Sequence, residues 1–185
     1  MKERIMQAFV DEMKDKGIKF TMDDLASRLG ISKRTLYEHF SSKAIILDSI
    51  IDLTIMEFDE KTEAIVKNEQ LPLLEKIKAA IKVVPKYDEF YDLRILEEMK
   101  KYYPRQWSKM NQSLNEWDAL KKLLEQGIQE GLIKEQNVEL LMKLVIDATN
   151  ITLDRRFIWE NSITVEEAME GIVQVLLFGM ASEKN

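Results

Sequence analysis

Apolar residues recur at three- and four-residue steps along almost all of this 185-residue chain. That is the period of a helix face, and no segment keeps the two-residue alternation of a half-buried strand. Ile5, Ala8, Phe9 and Met13 fall on one side of a first helix, with Glu12 and Lys16 expected outside. Gly17 ends it, since glycine takes a left-handed backbone at little steric cost. Thr21 caps a second helix, Ser32 a third, and Ser41-Ser42-Lys43 opens a long fourth one reaching Lys67. Pro72, Pro85 and Pro104 mark further boundaries. Trp107, Met110, Leu114, Trp117, Leu120, Leu124 and Ile128 predict one helix over 105–130, closed by Gly131. Asn137 predicts a helix over 137–160 and Thr164 a last one over 164–181, with Glu166 and Glu167 in its first turn. About nine helices result. The fold class is all-α, and six Gly with three Pro are too few turn residues for an all-β alternative.

Residues 21–40, TMDDLASRLGISKRTLYEHF, carry the most specific pattern. Two short helices flank a turn at Gly30, where a positive backbone angle reverses the chain. Ala26 must be small because the second helix crosses there at about 90–120°. Leu25, Leu29, Ile31 and Leu36 fill the wedge between the helices, and the amphipathic first helix supplies the third wall. This is a helix-turn-helix, whose second helix enters the major groove of DNA.

The polar residues suit that use. Lys33 and Arg34 can donate to guanine edges, Arg34 bidentately. Thr21, Ser32, Ser42 and Lys43 stand at helix N-termini, where free N–H groups attract phosphate. Tyr37 and His39 can each reach a phosphate oxygen. Arg34 is thus expected to discriminate sequence and Lys43 to hold all duplexes alike. Asp23 and Asp24 are expected on the far side of their helix. Residues 1–50 hold nine Lys or Arg (2, 4, 14, 16, 19, 28, 33, 34, 43) and eight Asp or Glu (3, 11, 12, 15, 23, 24, 38, 48), so clustering has to do what net charge does not.

Other classes lack their chemistry. There is no Cys and a single His, which excludes thiolate nucleophiles, disulfides and multi-His metal sites. No nucleophile–base pairing or Glu-x-x-His pattern suggests an enzyme, and no cofactor or metal is expected. No stretch approaches the roughly 18 apolar residues of a membrane span. A cytoplasmic protein with no membrane partner is the expectation.

Gly17, Thr21, Leu25-Ala26, Gly30-Ile31-Ser32, Thr35-Leu36-Tyr37, His39-Phe40 and Ser42-Lys43 together carry a family resemblance. Residues 5–47 resemble the N-terminal domain of the TetR family of bacterial transcriptional regulators. Gln126-Gly127-Ile128-Gln129-Glu130-Gly131, ahead of two C-terminal helices, is similar to the family as well. The family often has Gly where Arg34 stands and Glu where Ala44 stands. The resemblance adds Thr35 to the DNA-contacting set. It implies a DNA-binding domain over 1–47 and a larger ligand-sensing and dimerisation domain over 48–185. It also implies a homodimer that binds a palindromic operator on double-stranded DNA and releases it to a small-molecule effector. Repression is the family default.

Within that frame the sensor pocket is expected among the fourth to eighth helices. Tyr87, Tyr91, Trp107, Met110, Asn111, Leu114, Trp117 and Asp118 are its candidates, with Trp107, Asn111, Leu114 and Asp118 sharing one helix face. The dimer is expected through helices 137–160 and 164–181. Val138, Leu141, Val145, Ala148, Ile151 and Thr152 make the first face, and the many apolar residues from Val165 to Met180 the second. An effector would swing the long fourth helix and part the two reading helices. The rival expectation is a helical protein-interaction module of the same fold that does not bind an operator.

Overall fold

A computed structural model describes residues 1–87 and 91–180, without the side chain of Met180. Among these residues the chain forms eleven α-helices: α1 Lys2–Lys16, α2 Met22–Leu29, α3 Lys33–His39, α4 Lys43–Lys67, α5 Leu73–Ile81, α6 Leu93–Tyr102, α7 Pro104–Asn115, α8 Asp118–Gln129, α9 Val138–Thr149, α10 Arg155–Glu160 and α11 Val165–Met180. A 3-10 turn, Asn150–Leu153, links α9 to α10. Ala181, which closes the expected last helix, lies outside the described residues.

The expected caps form. Thr21 and Asp24 make a reciprocal capping box on α2, with the Asp24 N–H donating to Thr21 Oγ1 at 3.2 Å and the Thr21 N–H to Asp24 Oδ2 at 2.7 Å. Thr164 and Glu167 repeat that arrangement on α11. Ser32 accepts from the Thr35 N–H at 3.1 Å, Ser42 from Ile45 at 3.3 Å and Asn137 from Leu140 at 3.0 Å. Gly30 sits at φ 65, ψ 32, the left-handed conformation the turn requires.

Two expected helices break, which turns nine into eleven. The 105–130 helix stops at Asn115 and restarts at Asp118, because Trp117 leaves helical geometry (φ −118, ψ 63) and packs its ring 5.5 Å from Phe58. No Gly or Pro marks this break, so the helical step runs straight across it in the sequence. The 137–160 helix tightens after Thr149. The hydroxyls of Thr149 and Thr152 donate to backbone carbonyls, and Asp154 then caps α10 by accepting from the Phe157 N–H at 3.0 Å.

The chain divides into two compact units, 1–57 with 85–113 and 58–84 with 114–185. The segment 1–47 lies inside the first, and α4 runs from one unit into the other. In the first unit, Ile5, Phe9, Met13, Leu25, Leu36, Leu47 and Ile50 form the buried core under the helix-turn-helix. Phe9 and Phe20 meet edge to face at 4.9 Å. In the second, Ile77 and Ile81 of α5, Leu120 and Leu124 of α8, Val145 of α9 and Val173 and Leu177 of α11 share one apolar cluster.

One residue of α1 lies opposite to expectation. Glu12 is 2% exposed. Its position follows Ala8 and Phe9 by four and three residues, so it faces α2 rather than solvent. Burial is tolerated because Arg28 reaches it at 2.7 Å and Lys16 at 2.8 Å. Arg28 also takes Asp15 at 2.8 Å, and Arg4 donates to the Leu29 carbonyl at 2.9 Å. These bonds fasten α1 along α2.

Candidate nucleic-acid interface

Helix α3 is amphipathic over only seven residues. Leu36 is fully buried and anchors it, while Lys33, Arg34 and Tyr37 are exposed on the outer side. Thr35 and His39 are half-buried at its margin. The Ser32 and Thr35 hydroxyls lie 2.8 Å apart and lock the first turn. With Tyr37, the outer face thus presents two cations and a phenol to one partner, a set suited to base edges and phosphates.

In the free protein both cations of α3 rest on carboxylates. Lys33 pairs with Asp23 at 2.5 Å, so Asp23 is beside α3 and not on the far side of α2 as expected. Arg34 pairs with Glu38 at 3.2 Å, one helical turn away, with the Arg34 side chain 89% exposed. Such exposed pairs are worth about 0–1 kcal/mol, so a phosphate or a guanine edge can replace the carboxylate. Thr21 directs both its N–H and its hydroxyl to Asp24. These bonds, led by the backbone one, hold the Asp24 carboxyl below the usual carboxylate range. The backbone donors left unsatisfied by α2 at this end are the Met22 and Asp23 N–H groups of the first turn.

Lys43 behaves differently from an exposed anchor. Its ammonium turns into the domain, donates to the Ile18 and Phe20 carbonyls, and lies 3.7 Å above the Phe20 ring. Desolvation pushes it down to about 8, against the attraction of Asp24 and Glu98. In the free state Lys43 therefore ties the start of α4 to the α1–α2 turn. Ser42, beside it, is half-exposed.

The remaining expected residues fall in both units. In the first, Tyr87 and Met110 are buried, Tyr91 and Trp107 are half-buried, and Asn111 is exposed. Burial raises the Tyr91 phenol above its ordinary value, opposed by a hydrogen bond with Ser113. In the second, Leu114 and Trp117 are half-buried and Asp118 is exposed in the first turn of α8. Trp107, Asn111, Leu114 and Asp118 do not share a helix face, because α7 ends before Asp118.

The residues expected on the first dimer face divide between inside and outside, with Val138 and Ala148 half-buried. Leu141, Val145 and Thr152 are buried inside the second unit. Ile151, also expected on that face, is exposed and forms an outer stripe with Leu140 and Leu144 at four- and seven-residue steps. On α11, Met169, Val173 and Leu177 point inward, whereas Val175 and Phe178 are 74% and 83% exposed. Gly171 and Gly179 flank them with open space above their backbone. The sequence showed that this region is apolar on more than one side, but not which side the chain itself would use. Trp159, on α10, was missed altogether and is 80% exposed.

No helix among the described residues is long and apolar enough to cross a membrane. Residues 5–50 match the family described as "Bacterial regulatory proteins, tetR family". Over all 185 residues the chain is 32% identical to the HTH-type transcriptional regulator YvaF of Bacillus subtilis (strain 168), covering 97% of that protein. Among solved structures it resembles the TetR family transcriptional regulator PfmR from Thermus thermophilus, with TM-score 0.77 and 23% identity over 95% of this chain and 98% of that one. It also resembles the ketosteroid transcriptional regulator KstR2 of Mycobacterium tuberculosis, with TM-score 0.76 and 18% identity over 98% and 95% of the two chains. A third similar structure is AibR in complex with isovaleryl coenzyme A and operator DNA, with TM-score 0.72 and 18% identity over 95% and 97%.

Proposed function

The chain belongs to the TetR family of DNA-binding transcriptional regulators, and from that premise we propose that it is a cytoplasmic, ligand-responsive repressor. It binds a palindromic operator as a homodimer. One observation carries the DNA reading: α3 holds Leu36 fully buried while Lys33, Arg34 and Tyr37 stand outward on the opposite face. Arg34 reads a base edge, Lys33 a base edge or phosphate, and Thr21, Ser32, Thr35, Tyr37, His39 and Ser42 position the backbone. For Lys43 we propose a positioning role that a phosphate could share.

The exposed stripes of α9 and α11 support dimerisation. Leu140 and Leu144 on α9, Ile151 in the 3-10 turn after it, and Val175 and Phe178 on α11 are what two protomers need for a four-helix bundle about a twofold axis. A dimer places two α3 helices on one face of a duplex, one helical turn apart.

The effector is proposed to act through that spacing. It must bind the released arrangement more tightly than the DNA-bound one, and a preference of about 100-fold corresponds to roughly 2.7 kcal/mol. AibR, solved with both a small ligand and operator DNA, supports ligand response within this fold. The candidate ligand contacts are Tyr87, Tyr91, Trp107, Met110 and Asn111 in the first unit and Leu114, Trp117 and Asp118 in the second.

The test is binding of the purified protein to the promoter region beside its own gene, at several salt concentrations. Salt-dependent protection of a twofold-symmetric stretch is expected. Indifference to every duplex at low salt would favour the interaction-module alternative.

A further inference from the structure

We propose that the corner between α6 and α7 is a second DNA-contacting surface, which takes the phosphate backbone flanking the site read by α3. This rests on the proposal that α3 reads operator DNA, and it concerns residues outside the helix-turn-helix.

The corner is basic in a chain that is acidic overall. From Met99 to Asn115 the cations are Lys100, Lys101, Arg105 and Lys109, and there is no Asp or Glu, against a net charge of −6 for the whole chain. Lys109 pairs with Asp52. Lys100, Lys101 and Arg105 are exposed and form no ion pair among the described residues. Elsewhere in the first unit the chain matches Lys16, Arg28, Lys33 and Arg34 with carboxylates. Lys2, Arg4, Lys19 and Arg94 of this unit also lack a carboxylate partner among the described residues, but they are scattered, with Arg4 and Arg94 donating to the Leu29 and Lys14 carbonyls, whereas these three stand together.

Helix electrostatics explains only part of this. Lys100 and Lys101 lie in the last turn of α6, where cations suit the dipole. Arg105 lies in the first turn of α7, where a cation is unfavourable. Lys100 lies 4.9 Å from the centre of the Trp107 ring and Lys101 beside Tyr102, so Arg105 is the cation that an anion from outside the chain would most directly satisfy. Glu97, one turn before Lys101, is the nearby acid in sequence and makes no ion pair with any of them. Glu98 is committed to Ile18.

The position of the corner favours DNA. Lys19 holds its ammonium 5.3 Å from the centre of the Tyr102 ring, and Lys101 lies 5.4 Å from the same ring. Lys19 is two residues before Thr21, the cap of α2. Lys19 thus links the turn before α2, whose first turn carries Asp23 and Asp24, to the α6–α7 corner through Tyr102. Hydrogen bonds from Lys19 and, more weakly, Lys101 lower the Tyr102 phenol below its ordinary value, against a smaller opposing effect of burial. Tyr102 itself is exposed and can donate to a phosphate oxygen.

The test uses full-length protein, wild type and the Lys101→Gln/Arg105→Gln double variant, with equal thermal midpoints as the check on folding. Binding is measured against salt on two duplexes: the footprinted palindrome alone, and the same palindrome extended by about ten base pairs at each end. On the long duplex, losing about four phosphate contacts per dimer, two from each protomer, makes the variant roughly a hundred-fold less sensitive than wild type to a change from about 50 mM to about 200 mM salt. On the short duplex the two proteins coincide. Lys101→Arg retains the wild-type slope. Identical slopes on the long duplex, with wild-type binding intact, overturn this inference and leave the proposed function standing. Unchanged DNA binding with loss of inhibition by added pyrophosphate would assign the corner to a phosphate-bearing effector and also overturn it. Absence of wild-type binding to either duplex counts against the proposed function itself.

Discussion

Glu98, on α6, accepts a 2.6 Å hydrogen bond from the backbone N–H of Ile18, eighty residues earlier in the chain. The acceptor sits in a notch made by Gly17, where an added Cβ would come 2.6 Å from Glu98 Oε2. Gly17 also stands at φ 71, a conformation L side chains resist. The α1–α2 turn is thus fastened to α6 from one side and to Lys43 of α4 from the other. Glu98→Ala leaves a part-buried N–H without its acceptor and should cost about 1–2 kcal/mol, or about 2–8 °C in thermal midpoint. Gly17→Ala should cost at least as much. Calorimetry on both variants checks this, and wild-type midpoints would remove the clamp.

The Arg34–Glu38 pair makes a second, opposite-signed prediction. Glu38→Gln removes the resting partner of Arg34 and a negative charge near the duplex. Affinity for all duplexes should rise several-fold at low salt. Arg34→Ala should lose about 1–3 kcal/mol of preference for the operator over random DNA. Competition binding separates the two, and equal loss for cognate and random DNA would deny Arg34 a reading role.

Lys43 gives a pH dependence. Its ammonium has an ordinary value of 10.5 and is pushed down to about 8 by burial. Between these values the unfolded chain binds the proton more than the folded one does, so stability rises with pH across that window. Below about pH 8 the charged, desolvated group exerts its full destabilising effect. Urea unfolding of wild type and Lys43→Gln at about pH 7.5, 8.5 and 9.5 should show wild type gaining on the variant with each step. Parallel curves would mean that the group titrates normally.

The dimer face can be broken at one position. Phe178→Glu places a charge where a phenyl group stands 83% exposed on the outer side of α11. It should leave the protomer folded, yield a monomer in sedimentation, and lower operator affinity by orders of magnitude, because one α3 helix alone loses the second half-site. A variant that remains dimeric would move the interface elsewhere.

What the sequence made legible followed from local chemistry. Capping residues, the left-handed Gly30 and the Leu36 anchor located α2 and α3 to the residue, because each satisfies a need within one or two turns. What it concealed depended on partners distant in the chain. The break at Trp117 comes from its packing on Phe58. The burial of Glu12 depends on Arg28, and the inward turn of Lys43 on two carbonyls of the α1–α2 turn. On α9 the periodicity marks the Leu141 face as apolar, but packing within the second unit turns Leu141 inward and leaves Leu140 outside.

The most direct test of the central claim is selection of bound duplexes from a random pool by the purified protein, followed by sequencing. An enriched palindrome with half-sites about one helical turn apart is expected, with loss of that enrichment in Arg34→Ala. Recovery of no common sequence, or of a single half-site without its twofold mate, would contradict it.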